Sequence, residues 1–258
     1  MAKNNHSTII KSVQKSLKIL KYIIYASGEV SLAELEEEYG YNQSTIHHLL
    51  KTLSLEGFVS QNSRTKRYDI GPELLNIWLM YRKDEDYFMR AYPVLKEIVN
   101  KFGETANLFI REDDSLICVI GEESGELLKA HLMLGRNIPL HCTAAGKAFL
   151  SRLPEGEVRE MFSDGLEKYM ENSNTDLNLL LEELEEIRER GYSTEKEEFE
   201  KLIHAIGVPI LNQSGEPIAA VSVVAPKMRL AEDKMERVGS FLVEKSKEIS
   251  NKLTGTKY

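Results

Sequence analysis

The segment Ser31–Leu53 constrains the fold of this chain most strongly, because it predicts two short helices joined by a tight turn. Ser31 and Glu34 have the spacing of a capping box, in which each side chain accepts a hydrogen bond from the other residue's backbone amide. The helix that begins there is expected to end at Tyr39. Gly40-Tyr41-Asn42 then forms the turn, and its asparagine suits the N-cap of the next helix.

The second helix of this pair has a polar surface opposite its apolar face. The apolar face consists of residues at three- and four-residue spacing, namely Ile46, Leu49, Leu50 and Leu53. The polar surface and its flanks consist of Gln43, Ser44, Thr45, His47, His48, Lys51 and Thr52. With one cation and no acidic residue, this surface can enter a major groove of DNA and place Lys51 at a phosphate. Metal binding by the two adjacent histidines is the alternative, but neighbouring residues on a helix diverge and share one ion poorly.

A longer helix precedes this pair, and a hairpin follows it. Apolar residues recur on one face of the first helix, which ends near Ser27-Gly28: Val13, Leu17, Leu20 and Ile24. Two short strands, 58–60 and 67–70, flank the polar turn 61–66. The three cations near the tip of this hairpin are Arg64, Lys66 and Arg67. These elements predict a winged helix-turn-helix, with the three cations along phosphates or in a neighbouring minor groove. A protein-interaction module is the alternative, but it leaves the acid-free helix surface and the basic turn unexplained.

Charge is unevenly distributed along the chain. The net charge is −8, but residues 1–70 contain nine Lys and Arg against seven Asp and Glu. A polyanion would therefore be met by the N-terminal part only. The charge balance permits DNA binding there without establishing it.

Composition indicates a soluble globular protein of the cytoplasm. No apolar run approaches the roughly 18 residues of a membrane span, and the N-terminus lacks the apolar region of a signal peptide. Cys118 and Cys142 are the only cysteines, so no disulfide framework is expected and a reducing compartment fits. We expect no membrane partner.

Beyond Pro72, short strands alternate with helices. Helices are predicted from Pro72 as a linker, over Asp86–Phe102, 144–153, 176–190 and about 231–253. Strands are predicted over 106–111 and 115–120 around the turn 112–114, over the apolar stretch 127–132, and as a hairpin of 204–211 and 217–224. This pattern predicts an α+β domain built on an antiparallel sheet.

The chain resembles the IclR family of bacterial regulators over nearly its whole length. The resemblance is carried by SVQKSLKIL, by the helix-turn-helix, by RYDIGPELL, by IPLHCTAAGKAFLS, by GYSTEKEE and by GVPILNQSGEPIAAVSVVAP, in this order and spacing. It implies a DNA-binding domain at 1–71, a linker helix at 72–85 and a GAF-like effector-binding domain at 86–258. It also implies a homodimer or homotetramer on double-stranded DNA with a pseudo-palindromic operator. The effector is expected to be a small carboxylate.

The loop His141–Lys147 is the candidate effector site. Small residues that open a helix expose backbone amides, which together with the helix dipole suit an anion. The residues alone leave a second reading open, in which small side chains only let the helix pack closely. The resemblance implies that the loop holds a carboxylate, with Thr143, Ala144, Ala145 and Gly146 around it.

Other effector contacts follow from the resemblance. Glu195 stands where the family often has a shorter Asp that binds a hydroxyl or oxo group of the ligand. Ala205 occupies a position that is often Cys, Ser222 matches a ligand-binding Ser, and Val224 replaces a second Ser. We therefore expect a more apolar pocket that prefers a sugar acid or a hydroxylated aromatic acid to the smallest keto acids.

Zinc binding and thiol-dependent catalysis are the alternatives for the C-terminal residues. His131, His141, Cys142 and His204 could supply zinc ligands, but their spacing matches no compact zinc motif. A thiol-dependent GAF-like enzyme would need an activated cysteine, and two isolated cysteines give no activated pair. We expect a transcriptional repressor of a catabolic operon, with no catalytic residue, metal or cofactor.

Overall fold

The computed structural model describes residues 9–26, 28–81 and 86–254, which fall into two compact units within residues 1–85 and 86–258. In its described residues, the N-terminal unit contains four helices and a hairpin: α1 Lys11–Tyr25, α2 Leu32–Tyr39, α3 Gln43–Leu55, β1 Val59–Gln61, β2 Tyr68–Ile70 and α4 Pro72–Tyr81. Strands β1 and β2 are antiparallel. The winged helix-turn-helix fold predicted from the sequence is confirmed.

Local capping positions the two short helices of this unit. Ser31 and Glu34 form the predicted capping box at the start of α2, and Gly40 ends that helix with a left-handed φ of 63°. The Asn42 side chain accepts a hydrogen bond of 3.0 Å from the Thr45 amide and so caps α3. Each cap satisfies amides that a helix start leaves without an intrahelical partner.

The buried face of α1 differs from the predicted one. Ile19, Leu20 and Ile23 are buried against the core of the N-terminal unit, whereas three of the four predicted residues are exposed: Val13, Leu17 and Ile24. The helix carries two overlapping apolar stripes that share Leu20. Periodicity finds both stripes, and only packing against α3 decides which of them is buried.

The C-terminal unit is a six-stranded antiparallel sheet with helices on both faces. Its strands are β3 Thr105–Glu112, β4 Ser115–Glu122, β5 Asn137–Pro139, β6 Ser193–Lys196, β7 Ile203–Leu211 and β8 Pro217–Pro226, in the order β5-β4-β3-β8-β7-β6. Its helices are α5 Asp86–Met89, α6 Tyr92–Phe102, α7 Ala144–Leu150, α8 Glu155–Met161, α9 Leu177–Arg190 and α10 Glu232–Thr254. One core lies between the sheet and α6 with α10, and the other between the sheet and α7 with α9. The predicted α+β class is confirmed.

Two predicted elements of this unit are wrong. The single helix expected over Asp86–Phe102 is broken at Arg90–Ala91 into α5 and α6, because Pro93 has no amide hydrogen and begins a new helix in its first turn. The strand expected over 127–132 is an irregular segment with a fully exposed Leu127. Helix α8 and the two edge strands, β5 and β6, were not predicted from the sequence.

None of the helices in the described ranges is both long and apolar enough to cross a membrane.

Candidate nucleic-acid interface and ligand site

The predicted groove-binding surface of α3 is open to solvent. Its polar side chains are exposed, except for the half-buried Thr45 that follows the cap: Gln43, Ser44, His47, His48, Lys51 and Thr52. The rings of His47 and His48 lie 6.1 Å apart at 77° to each other, so they diverge as expected for neighbours on a helix. The opposite face holds the core residues Ile46, Leu50 and Leu53. The helix therefore presents hydroxyl, imidazole and ammonium groups without an acidic residue.

The turn of the β1–β2 hairpin is held by Glu29, a residue for which the sequence predicted no role. Its carboxylate accepts hydrogen bonds from the Asn62 amide group at 2.6 Å and from the Thr65 hydroxyl at 2.8 Å. The bond from Asn62, followed by that from Thr65, lowers the pKa of Glu29. This anchoring leaves Arg64 and Lys66 exposed at the turn.

Arg67 differs from the other two cations of the hairpin because its guanidinium is engaged within the N-terminal unit. Its Nε donates to the Glu29 carbonyl at 2.9 Å, and its Nη2 lies 2.8 Å from a carboxylate oxygen of Glu34. Glu34 is also the acidic member of the α2 capping box. Arg67 thus ties the hairpin to the start of α2, while its predicted phosphate contact stays a prediction.

Strand register brings the predicted effector residues of the sheet to one face. Glu195 pairs with Ala205, and Ala205 pairs with Val224, so these three form one row across β6, β7 and β8. Ser222 lies in the adjacent row, paired with Gly207 on one side and Asn107 on the other. Directly paired residues of an antiparallel sheet point to the same side. The two rows face α7.

The start of α7 lies directly on this face of the sheet. A Cβ atom at Gly207 would lie 2.4 Å from the Ala144 carbonyl oxygen, and one at Gly146 would lie 2.2 Å from the Leu140 oxygen. The Thr143 hydroxyl caps the helix by accepting from the Gly146 amide at 3.2 Å. The small residues therefore do let α7 pack closely, which is the reading that the sequence left open beside an anion site. In the described part of the chain, the amides of Ala144 and Ala145 have no hydrogen-bond acceptor.

Glu195 is a buried carboxyl group beside this helix start. It is 4% exposed, and burial raises its pKa to about 7. One carboxyl oxygen accepts hydrogen bonds from the backbone amides of Glu198 at 2.9 Å and Phe199 at 3.4 Å. Near neutral pH the group can therefore accept a hydrogen bond from a ligand or donate one to it.

A buried ion-pair cluster lies behind the loop, centred on Lys147. The ammonium of this residue, which is 1% exposed, lies 2.7 Å from carboxylate oxygens of both Glu183 and Glu198. Burial lowers the pKa of Lys147, but the two carboxylates outweigh that effect and the net pKa is raised. This ion-pair cluster was not predicted from the sequence. A lysine within an apolar helix pattern was the available signal.

The two cysteines lack the properties of nucleophiles. Burial raises the pKa of both Cys118 and Cys142 to about 12, so the thiolate forms are disfavoured.

The three histidines among the four candidate zinc ligands make other contacts. His131 is exposed beside Glu123, while the rings of His141 and His204 contact the carbonyl oxygens of Glu167 and Leu230. Within the described ranges, no three His, Cys, Asp or Glu side chains are grouped to hold a metal ion.

Comparison with known proteins covers both units. Residues 80–251 match the family model "Bacterial transcriptional regulator IclR C-terminal", and residues 12–63 match the "IclR helix-turn-helix domain". The acetate operon repressor of Salmonella typhimurium is 28% identical over 96% of this chain and 92% of that protein. The repressor AllR of Salmonella paratyphi A is 30% identical over 94% of this chain and 90% of that protein. The crystal structure of Thermotoga maritima IclR superposes with a TM-score of 0.78 at 30% identity, covering 95% of this chain and all of that one.

Proposed function

The chain belongs to the IclR family of bacterial transcriptional regulators, and we propose that it represses a catabolic operon under the control of a small carboxylate effector. Two relatives of similar length are named as repressors, which supports repression over activation. The proposed partner is double-stranded DNA in the cytoplasm. No catalytic step is included, because the pKa of about 12 for Cys118 and Cys142 opposes a thiol-dependent reaction.

The acid-free surface of α3 carries the DNA-binding part of this proposal. Ser44 and His48 reach base edges in the major groove, and Lys51 contacts a phosphate. Arg64 and Lys66, exposed on the hairpin turn, contact phosphates beside the groove or enter the minor groove. Cations that contact phosphates give an affinity that falls with salt concentration.

Fluorescence anisotropy on duplexes selected from a random library tests this assignment. Lys51→Ala and Lys66→Ala should each weaken binding to selected and unselected duplexes alike and lower the salt slope by about one. His48→Ala should instead change which sequences are selected. Lys129→Ala, which removes an ion-paired cation of the C-terminal unit, is the control and should leave DNA binding unchanged. Equal losses on all duplexes for His48→Ala would contradict the assigned reading surface.

The exposed stripe of α1 supports the proposed oligomer. Helix α1, which precedes the helix-turn-helix, exposes three apolar side chains to solvent: Val13, Leu17 and Ile24. Such a stripe is covered when two copies meet through the same surface, as in a two-fold dimer. A dimer or tetramer then offers paired α3 helices to a pseudo-palindromic operator.

The effector is proposed to bind between the α7 start and the sheet rows of Glu195 and Ser222. A carboxylate would accept hydrogen bonds from the free amides of Ala144 and Ala145, whereas Glu195 would bind a hydroxyl group. Ala205 and Val224 add apolar surface in place of polar side chains. A sugar acid or a hydroxylated aromatic acid fits this combination, and calorimetry with gluconate and 4-hydroxybenzoate tests it.

A further inference from the structure

Asn107 is a buried polar residue to which the proposed function assigns no role. It lies on β3, is 0% exposed, and pairs in register with Ser222 on β8. Its side-chain nitrogen Nδ2 is fully buried and has no hydrogen-bond partner in the described residues. A buried donor without an acceptor is destabilising, so its retention in a core requires an explanation.

The orientation of the Asn107 amide group is set by its oxygen. Oδ1 accepts from the Met133 backbone amide at 3.5 Å and from the Cys118 thiol at 3.7 Å. The Met133 amide can only donate, so the oxygen end of the Asn107 group must meet it. Rotating the group by half a turn would break these contacts. The unsatisfied –NH₂ group is therefore held in place.

Thr105 shows that this face of the sheet satisfies buried polar groups where a protein partner is within reach. It lies two residues before Asn107 on β3 and is also 0% exposed. Its hydroxyl donates to the Ala130 carbonyl at 2.7 Å and accepts from the Ser124 amide at 3.1 Å. The hydroxyl of Ser222, by contrast, makes no hydrogen bond within the described ranges. The Asn107 –NH₂ group and the Ser222 hydroxyl, neither of which makes a hydrogen bond in the described residues, thus lie on paired residues of neighbouring strands.

Leu132 and Met133, in the segment after β4, lie over the Asn107 side chain. A Cβ atom at Gly121, which pairs with Asn107, would lie 2.3 Å from the Leu132 side chain and 3.1 Å from Asn107 Oδ1. Leu132 and Met133 therefore close this part of the sheet face to water. A ligand oxygen bound here would meet the donor in a dry environment, where a hydrogen bond is strong.

We propose that Asn107 is a further effector-binding residue, whose Nδ2 donates a hydrogen bond to an acceptor oxygen of the ligand. The inference rests on the proposed effector site, because Asn107 lies in the same sheet row as Ser222 and on the face that carries α7. A hydrogen bond from Asn107 restricts the effector to molecules with a second oxygen acceptor. A carboxylate, carbonyl or hydroxyl oxygen must reach the Asn107–Ser222 pair, in addition to the anionic group at the Ala144 and Ala145 amides.

Two measurements on the full-length protein test this proposal. Asn107→Leu replaces the amide by an apolar group of similar shape, and Thr105→Val does the same to a satisfied hydroxyl on the same strand. Without ligand, Asn107→Leu should lower the melting temperature less than Thr105→Val does. It removes an unsatisfied –NH₂ group together with two long hydrogen bonds of 3.5 and 3.7 Å, whereas Thr105→Val removes two shorter ones of 2.7 and 3.1 Å. In calorimetry with gluconate and 4-hydroxybenzoate, Asn107→Leu should lower the affinity for the probe that the wild-type protein binds at least ten-fold.

The outcomes separate this inference from the proposed function. A loss of stability in Asn107→Leu as large as that in Thr105→Val would show a structural role and overturn the inference. Unchanged affinity of Asn107→Leu for a probe that the wild-type protein binds would overturn it while the effector site stands. Binding of neither probe by the wild-type protein would contradict the proposed effector class, and the stability comparison would then decide on Asn107.

Discussion

Lys147 shows how a single residue can be committed to the architecture of a site rather than to its ligand. An isolated buried ammonium is strongly destabilising, and here two carboxylates compensate it by direct contacts. The cation therefore adds little free charge to the nearby loop. An anionic effector would be held by backbone amides instead.

Removal of this cation should be costly. Lys147→Met leaves the carboxylates of Glu183 and Glu198 without their counter-ion, and we expect a loss of about 3 kcal/mol in the free energy of unfolding. Lys129→Met breaks a more exposed pair with Glu123 and should cost less than about 1 kcal/mol. Urea denaturation followed by circular dichroism measures both. Similar losses in the two variants would contradict the central role of the buried cluster.

Glu195 should make stability depend on pH. Its folded-state pKa of about 7 lies above the ordinary value of 4.5, so the folded protein binds the extra proton between these values. The stabilisation is complete below the unfolded pKa and is lost as pH rises through about 7. Relative to the wild-type protein, Glu195→Gln should gain roughly 1–3 kcal/mol between pH 5 and pH 8.

Urea denaturation of both proteins at the two pH values checks this sign. Glu197→Gln is the control, because Lys227 holds the pKa of Glu197 below its ordinary value by a side-chain hydrogen bond. This control should show no gain at pH 8. A difference for Glu195→Gln that is the same at both pH values would refute the raised pKa.

Arg67 and Lys66 should respond differently to substitution although they are neighbours in the hairpin. Arg67→Ala removes the links to Glu29 and Glu34, so we expect a loss of roughly 1 kcal/mol in stability of the N-terminal unit. Lys66→Ala should leave that stability unchanged and alter only the salt dependence of DNA binding. Thermal unfolding and anisotropy titrations of the two variants make the comparison. Equal stability of both variants would show that the Arg67 contacts contribute nothing.

At the scale of elements, the sequence predicted best those boundaries that are decided within a few residues. The Ser31 capping box, the Asn42 cap and the glycine after Arg190 each fix a helix end locally. The break before Pro93 was missed because apolar residues continue through it. The edge strand Ser193–Lys196 was missed because its four residues gain strand structure only by pairing with β7. Long-range pairing is not encoded in short patterns.

The exposed stripe of α1 leads to a prediction about assembly. Leu17→Asp places a charge on the surface that we assign to the contact between two copies, so it should weaken binding to a two-half-site operator at least ten-fold. Binding to an isolated half-site should change little. Gln14→Asp adds the same charge outside the stripe and is the matched control. Sedimentation and anisotropy would expose an error if both variants behaved alike.

At the scale of the whole molecule, the division of the chain at 85/86 separates the two proposed activities. Every proposed effector residue lies beyond this division. A fragment of residues 71–258 should therefore fold and bind the same effector as the full chain, with an affinity within about two-fold. Calorimetry on both proteins tests this expectation. A folded fragment without a heat of binding would place part of the effector site in the first 70 residues.

The sequence predicted several candidate residues of the effector site but not their contacts with other strands. Family resemblance placed Glu195, Ala205 and Ser222 together, and the register of the sheet sets them in adjacent rows. Asn107 lies 88 residues before Glu195 and 115 before Ser222, in an ordinary strand pattern. Its unsatisfied amide becomes visible only when both neighbouring strands are in place.

The contact between Gly207 and the start of α7 has a consequence for how such a protein could be re-engineered as a biosensor. Any side chain at this position would collide with the Ala144 carbonyl, so a mutant library should leave it constant. Ala205 and Val224, in the next row, already carry side chains on the same face of the sheet. Randomising these two positions should diversify ligand choice while the scaffold survives. The row of Gly207 should therefore stay constant in such a library, whereas the row of Ala205 and Val224 should be varied.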